Sequence, residues 1–172
     1  SKYRNTGQTC VCANRLYVQD GVYDAFAAQQ AAAVKMLTPA NGLEPGATQG
    51  PLIDDKAVAK VEEHIADAVR HGAAVLVGGR RHARGGRFFE PTILTGTNGS
   101  MLLAHEETFG PVAPLFRFTT DEEAIAMANA TEFGLAAYFY GRDIRRVWRV
   151  AEALETGMIG INTGLISTEV AP

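Results

Sequence analysis

The residues DDKAVAKVEEHIADAVRHGAAVLV, positions 54–77, predict a helix followed directly by a strand. Apolar side chains recur every three or four residues in the first part, as on one face of an α-helix, at Val58, Val61, Ile65 and Val69. The short apolar run at 73–77 suits a strand that is buried on both faces. A helix joined to a buried strand is typical of α/β proteins.

The same alternation continues on both sides of this stretch. The other predicted strands are 15–19, 88–94, 111–118, 135–141 and 157–162, and the other predicted helices are 21–36, 120–130 and 144–154. Strands separated by helices of this length predict parallel crossover connections. The expected fold class is therefore α/β, as a three-layer α/β/α domain with a mostly parallel sheet.

Local signals refine these elements. Asp20, Thr120 and Asp143 stand where helix N-caps are expected. Glu123 lies three residues after Thr120, which is the spacing of a capping box. Pro91 is expected to confine its strand to a sheet edge or a bend, because proline has no N–H for the ladder.

Composition is that of one soluble globular domain. The chain has 172 residues, 47% of them apolar, with a net charge of -3, two cysteines and four histidines. It has no basic excess to suggest a nucleic-acid partner, and no run reaches the ~18 apolar residues that a membrane span needs. Cys10 and Cys12 form no disulfide framework, which favours a cytoplasmic setting, and the histidine spacing predicts no metal site.

The candidate nucleophile lies in the segment RNTGQTC at 4–10. A cysteine attacks as thiolate, and its free pKa of about 8.5 means that a catalytic cysteine needs N–H groups or cations to stabilise the anion. Arg4 and the backbone amides of 7–10 are candidates for that role beside Cys10. From these residues alone, an inert buried thiol is an equally good interpretation.

Three motifs carry a resemblance to a known family. They are RNTGQTCVCANR at 4–15, HEETFGPV at 105–112 and INTGLISTEVAP at 161–172. In order and spacing they resemble the aldehyde dehydrogenase superfamily, and the CVC form is most similar to its succinate-semialdehyde dehydrogenases. The resemblance covers essentially the whole chain, and it implies the same α/β/α fold class.

The resemblance implies a nicotinamide cofactor, either NAD or NADP. By that resemblance, Cys10 attacks an aldehyde, Glu107 hydrogen-bonds the nicotinamide ribose and Phe109 packs near the nicotinamide ring. Lys60 lies near the position at which the family contacts the adenosine side. Without the family, Glu107 is an exposed acidic residue, Phe109 is a core residue and Lys60 is a solvated lysine on a polar helix face.

The resemblance also implies the substrate class. Arg4 and Ser167 correspond to residues that bind the carboxylate of succinate semialdehyde, and a guanidinium presents a planar fork that matches a carboxylate. Without the family, Arg4 is a surface ion-pair partner and Ser167 is a turn hydroxyl. In some relatives with the CVC form the second thiol pairs with the first as a redox switch. Cys12 is therefore either a redox partner of Cys10 or a small buried side chain.

Residues 1–172 are expected to form a single catalytic domain of a longer chain. No G-x-G-x-x-G follows a strand. The resemblance implies that the nucleotide-binding domain, a general-base glutamate and a C-terminal oligomerising segment lie elsewhere in a parent that forms homo-oligomers. The domain by itself is expected to be inactive. A cysteine hydrolase or acyltransferase, and a non-catalytic folded fragment, are the alternative functions.

Overall fold

The fold is described for residues 1–166 from a computed structural model. Its helices are α1 (Tyr23–Val34), α2 (Asp55–Arg70), α3 (Leu102–His105), α4 (Asp121–Asn129) and α5 (Ile144–Ala153). Its strands are β1 (Leu16–Gln19), β2 (Ala74–Val77), β3 (Thr92–Thr97), β4 (Val112–Phe118), β5 (Ala136–Phe139) and β6 (Met158–Ile161). None of these helices has the length and apolar character needed to cross a bilayer.

Four strands form the main sheet, in the order β1-β4-β3-β2. β1, β4 and β3 run parallel to one another, whereas β2 pairs antiparallel with β3. β5 and β6 form a separate parallel pair, with α5 as the helix between them in the chain. The prediction of a mostly parallel sheet is confirmed.

Helices cover both faces of the main sheet. α1 packs on one face, in an apolar cluster that includes Val18, Ile93 and Leu115. α2 belongs to the cluster on the other face, together with Leu94 and Phe116. Ile93 and Leu94 are neighbours in β3, and successive side chains of a strand point to opposite faces, so the sheet separates two cores. The predicted three-layer α/β/α class is confirmed.

β2 is an edge strand, and the prediction that the run 73–77 is buried on both faces is wrong. Ala74, Val75 and Leu76 are all exposed, and within residues 1–166 β2 pairs with β3 alone, at the end of the sheet. Val69 was expected on the buried face of α2 but is 47% exposed. The buried apolar stripe therefore continues into the last turn of α2 through Ala68, which is 0% exposed, and Val69 lies outside it.

Pro91 and Asp20 also differ from expectation. β3 lies inside the sheet, between β4 and β2. Pro91 immediately precedes the first residue of β3, so its missing N–H removes no bond from the ladder. Asp20 begins a 3₁₀ turn, and its carboxylate accepts a hydrogen bond of 2.6 Å from Arg117 instead of capping α1.

The two other predicted caps are confirmed. Thr120 accepts a hydrogen bond from the Glu123 N–H at 3.2 Å, and Asp143 accepts one from the N–H three residues further on at 2.7 Å. Asp54 caps α2 in the same way at 2.7 Å. The reciprocal bond of the capping box reaches the Thr119 N–H, one residue before the cap. Each cap satisfies an N–H that has no partner within its helix.

Candidate active site

Residues 4–10, here called the thiol turn, run through left-handed backbone. Asn5, Thr6 and Gly7 have φ values of 48°, 58° and 76°. Residues other than glycine rarely adopt this backbone conformation, so contacts with other parts of the chain must hold the turn in place. One such contact is the Thr6 hydroxyl, which is buried and donates a 3.0 Å hydrogen bond to the Gly50 carbonyl.

The thiol turn packs directly against residues 105–112, here called the acidic turn. A Cβ at Gly7 would lie 2.1 Å from the Gly110 carbonyl oxygen, and a Cβ at Gly110 would lie 2.4 Å from a methyl group of Val61 on α2. Only glycine permits so close an approach of two backbones. Two of the three sequence motifs therefore come together in the fold.

The two thiols differ in exposure. Cys10 is exposed and Cys12 is half-buried, and both are free cysteines. Cys12 donates from its Sγ to the Arg4 carbonyl at 3.5 Å and from its N–H to the Thr9 carbonyl at 2.9 Å. The alternative interpretation of Cys10 as a buried thiol is therefore wrong, and its role as nucleophile stays a prediction.

A cleft of about 1420 Å³ brings the thiols together with charged side chains. Arg4, Cys10, Cys12 and Glu107 all line it. Residues of β1, in the main sheet, and of β5, including Tyr138, also line the cleft, so it lies between the main sheet and the β5–β6 pair. This arrangement places a thiol, a guanidinium and a carboxylate around one opening.

Asn14 joins the segment of Cys10 to the acidic turn. Its Nδ2 donates to the Glu106 carbonyl at 3.0 Å, and its Oδ1 accepts from the Thr108 N–H at 3.0 Å. The two bonds hold the backbone on both flanks of Glu107. Asn14 belongs to the motif at 4–15, but sequence reasoning gave it no role, because the residues that it bonds lie 92 and 94 positions away.

His64 of α2 contacts two side chains of the acidic turn. It is buried, with Nδ1 at 3.0 Å from the Thr108 hydroxyl and Nε2 at 3.4 Å from the Glu106 carboxylate. Burial lowers the pKa of His64, although Glu106 acts in the opposite direction. Lys60, one turn earlier on the same helix, has its Nζ 3.9 Å from the same Glu106 oxygen. Lys60 thus lies beside the acidic turn, which contains Glu107.

Phe109 is not a core residue. It is 41% exposed and has a φ of 48°, which is uncommon for an aromatic residue. Strained backbone of this kind occurs at functional sites, where the surroundings hold it in place. The close contact between Gly7 and Gly110, the residue after Phe109, provides this constraint on the Phe109 backbone.

Lys2 is a buried charge that sequence reasoning missed. Its side chain is 5% exposed and lines the cleft with Cys12 and Glu107. Burial lowers the pKa of Lys2 to about 8, while electrostatic interactions with Cys12 and Glu107 act in the opposite direction. The Lys2 side chain therefore shares the cleft with Cys12 and Glu107, which were predicted from the sequence motifs.

Tyr138 was also missed. Its hydroxyl donates to the Val11 carbonyl at 2.8 Å, between the two cysteines. Burial raises the pKa of the Tyr138 phenol, Cys12 and Cys10 raise it further, and Arg4 lowers it. Tyr138, the two thiols and the guanidinium of Arg4 all line the same cleft. No signal in the sequence links β5 to the thiol turn, because the contact joins residues 127 positions apart.

The structure thus brings together most of the nominated residues. Arg4, Cys10, Cys12 and Glu107 share the cleft, and Lys60 lies beside it. Ser167 lies outside the described residues. Within residues 1–166, no group of three or more histidine, cysteine, aspartate or glutamate side chains is arranged to hold a metal ion.

The fold and the cleft define a class of protein: an α/β domain that presents an exposed thiol from a strained turn packed against a second, acidic turn. A sequence profile of the aldehyde dehydrogenase family matches residues 1–172. The chain belongs to this family.

Individual relatives are similar over the whole of this chain. It is 69% identical to the glutarate-semialdehyde dehydrogenase of Pseudomonas aeruginosa over 172 residues, which is 100% of this chain and 36% of that protein. It is 65% identical to the succinate-semialdehyde dehydrogenase [NADP(+)] GabD of Escherichia coli, over 100% of this chain and 36% of the relative.

A solved structure agrees with these relatives. The crystal structure of succinate-semialdehyde dehydrogenase from Burkholderia pseudomallei matches with a TM-score of 0.98 and 66% identity, over 100% of this chain and 36% of that chain. This chain therefore spans about a third of the length of the relatives it matches, at 36% in each of these comparisons.

Proposed function

We propose that this chain is the cysteine-bearing part of an NAD(P)-dependent aldehyde dehydrogenase that oxidises short aldehydes carrying a carboxylate, with succinate semialdehyde as the first candidate. The observation that supports this most directly is the shared cleft of Cys10, Arg4 and Glu107. It combines a nucleophile, a carboxylate-binding cation and an acceptor for ribose hydroxyls in one place.

The reaction begins at Cys10. Its thiolate adds to the aldehyde carbon, which forms a C–S bond and moves the carbonyl electron pair onto oxygen. The backbone N–H of Cys10 is the natural donor to that oxyanion. A nicotinamide cofactor held at its ribose by Glu107 would supply the hydride acceptor, and loss of the hydride from the same carbon would leave a thioester on Cys10. Water then cleaves the thioester, which releases the acid and returns the thiol.

Glu107 fits the role of a ribose ligand. Its carboxylate is half-exposed in the cleft and can accept hydrogen bonds from two neighbouring hydroxyls. The backbone around it is bonded to Asn14 on both flanks, which limits its movement. Phe109 follows as an exposed aromatic residue that can pack on a nicotinamide ring. The adenosine-side role of Lys60 stays a prediction, since its ammonium pairs with Glu106.

Arg4 supports an aldehyde with an anionic far end. Its side chain is exposed in the cleft that also exposes Cys10, and a guanidinium binds a carboxylate in a planar, bidentate geometry. Relatives are named for glutarate and succinate semialdehyde, which share that carboxylate and differ by one methylene group. Ser167 is the proposed second contact to the carboxylate.

The activity is proposed for a longer enzyme. The chain spans about a third of its relatives, at 36% of each one's length, which supports an arrangement in which other segments supply the nucleotide-binding domain and the general base. We infer that this enzyme acts in the cytoplasm, since two free thiols suit a reducing compartment. Its homo-oligomeric state, and a disulfide between Cys10 and Cys12, stay predictions.

A cysteine hydrolase or acyltransferase is supported less well. It would need a histidine beside Cys10 as base. His105 lines the cleft, but its Nε2 lies 2.7 Å from the Gly99 carbonyl oxygen and is engaged there. The dehydrogenase therefore remains the better proposal.

The test is nicotinamide reduction by the complete enzyme with succinate or glutarate semialdehyde. We expect turnover with NAD or NADP, a loss of about 10³-fold or more in Cys10→Ser, and retained turnover in Cys12→Ser as the matched control. The 172-residue chain alone should give none. Full activity in Cys10→Ser would refute the assignment of the nucleophile.

A further inference from the structure

We propose that Asn14 is a positioning residue for Glu107: its side-chain amide holds the acidic turn so that the Glu107 carboxylate meets the nicotinamide ribose at a set distance from Cys10. The inference rests on the function proposed above. It concerns a residue whose side-chain amide bonds the backbone of another segment and acts through that backbone.

The geometry is that of a two-point clamp. Asn14 donates to the carbonyl of Glu106 and accepts from the N–H of Thr108, both at 3.0 Å, so Glu107 lies between the two bonded residues. An asparagine amide carries a donor and an acceptor in one rigid plane, and the clamp uses both. Aspartate would keep the acceptor and lose the donor, and alanine would lose both.

Asn14 is also placed to transmit the position of the thiol. It lies four residues after Cys10, immediately before the segment that enters β1, whereas the residues it bonds are 92 and 94 positions away in the chain. Any shift of the acidic turn relative to Asn14 would change the distance between Glu107 and Cys10. Hydride transfer depends on that distance, because reacting atoms must lie close together and aligned.

Other contacts hold the same turn but do not replace the clamp. His64 contacts the side chains of Glu106 and Thr108 from α2, and Gly7 abuts the backbone of Gly110. These contacts keep the turn folded when Asn14 is changed. The loss of the amide should therefore loosen Glu107 without unfolding the turn, and this makes the proposal testable by substitution.

The experiment uses the complete enzyme with Asn14→Ala and Asn14→Asp, compared with Glu107→Gln. We expect the KM for the nucleotide to rise about tenfold in Asn14→Ala and less in Asn14→Asp, which keeps the bond to Thr108. The KM for the aldehyde and the rate at which iodoacetamide alkylates Cys10 should stay within about twofold, because neither depends on Glu107. A general loss of structure would change all of these together.

A double mutant tests whether Asn14 acts through Glu107. In the Glu107→Gln background, Asn14→Ala should change the nucleotide KM by less than about twofold, because the group it positions is already altered. Full additivity of the two changes would overturn the inference. Hydrogen exchange gives a readout without catalysis: the Thr108 N–H should exchange faster in Asn14→Ala and stay protected in Asn14→Asp.

The outcomes separate this inference from the proposed function. An active enzyme that is impaired by Glu107→Gln but indifferent to Asn14→Ala, with Thr108 exchange unchanged, overturns the role of Asn14 alone. An enzyme with no nicotinamide-dependent turnover overturns the proposed function together with the ribose role of Glu107. Selective loss of nucleotide affinity and of Thr108 protection supports the positioning role.

Discussion

The main sheet and the β5–β6 pair use strands of similar character but differ in burial. Residues 112–116 of β4 are all buried, whereas every residue of β5 is only half-buried. Leu135 and Trp148, which flank the pair, are 46% and 62% exposed. The described residues therefore complete two cores around the main sheet and leave the apolar surface of the pair without comparable cover.

The candidate site lies where these two regions meet. Cys10 and Glu107 belong to turns packed on the main-sheet side, and Tyr138 comes from the less buried pair. Cys10 and Glu107 thus belong to the side of the cleft that packs against the buried main sheet. Stable support is what a site needs in order to hold its groups within a fraction of an ångström.

Gly7→Ala should have the largest effect, because it strikes the contact that joins the two turns. The new Cβ would lie 2.1 Å from a backbone oxygen, and φ is 76°. We expect a loss of about 4 kcal/mol or more in unfolding free energy. Gly21→Ala is the matched control, since no atom lies within 4 Å of its Cβ. Urea unfolding measures both, and equal effects would contradict the proposed close packing.

The second prediction compares the loss of stability when one leucine is replaced in the main sheet and one beside the β5–β6 pair. Leu94 of β3 is 0% exposed, and Leu135 before β5 is 46% exposed. Leu94→Ala should cost about 3 kcal/mol and Leu135→Ala less than about 1 kcal/mol, because only the first leaves a cavity. Urea unfolding of both variants decides the point. A similar loss in each would mean that the β5–β6 pair is as well packed as the main sheet.

Lys2→Met should stabilise the chain at neutral pH. The unfolded lysine keeps its proton up to its ordinary pKa of 10.5, whereas the folded one loses it at about 8. Between these values the unfolded chain binds more protons, so the stability of the unchanged chain rises with pH there. The gain from Lys2→Met should be about 3 kcal/mol at pH 7 and should shrink towards pH 10.5. Denaturation of both proteins across this range tests it, and a gain independent of pH would refute the explanation.

His64→Gln should have the smallest effect, seen on acidification. Burial lowers the pKa of His64 below the value of 6.5 that it has when unfolded. The unfolded chain therefore binds the extra proton first, and stability falls as the pH drops below 6.5. Glutamine can still bond the Thr108 hydroxyl and carries no titrating group, so it should reduce the loss of stability between pH 7 and pH 5. Unfolding curves at the two pH values would show no difference if His64 were not the group that titrates.

Elements with strong local signals were predictable. β1 and β4 follow from short β-branched or apolar runs, and the caps Thr120 and Asp143 follow from side chains that bond the backbone within three residues. β2 was predicted as a strand but with the wrong burial. The sequence of an apolar strand does not show whether the strand has one neighbour in the sheet or two, because strand order depends on residues far apart in the chain.

The candidate site was predictable only in part. Cys10, Arg4 and Glu107 could be nominated because they belong to contiguous motifs. Asn14 lies in the first of these motifs, but its role, like that of Lys2, could not be predicted, because each takes that role from groups far along the chain. The Asn14 bonds span 92 and 94 positions. Lys2 is notable only because the fold buries it beside Glu107.

By itself the sequence determined the helices, most of the strands, the fold class and the motifs that mark the family. Those properties depend on periodicity, capping and short motifs, which act over a few residues. The tertiary structure alone decided which strand lies at the edge, that Gly7 meets Gly110, and that Asn14 brackets Glu107. These features depend on the order in which distant strands pair, since only that order brings the thiol turn and the acidic turn to the same place.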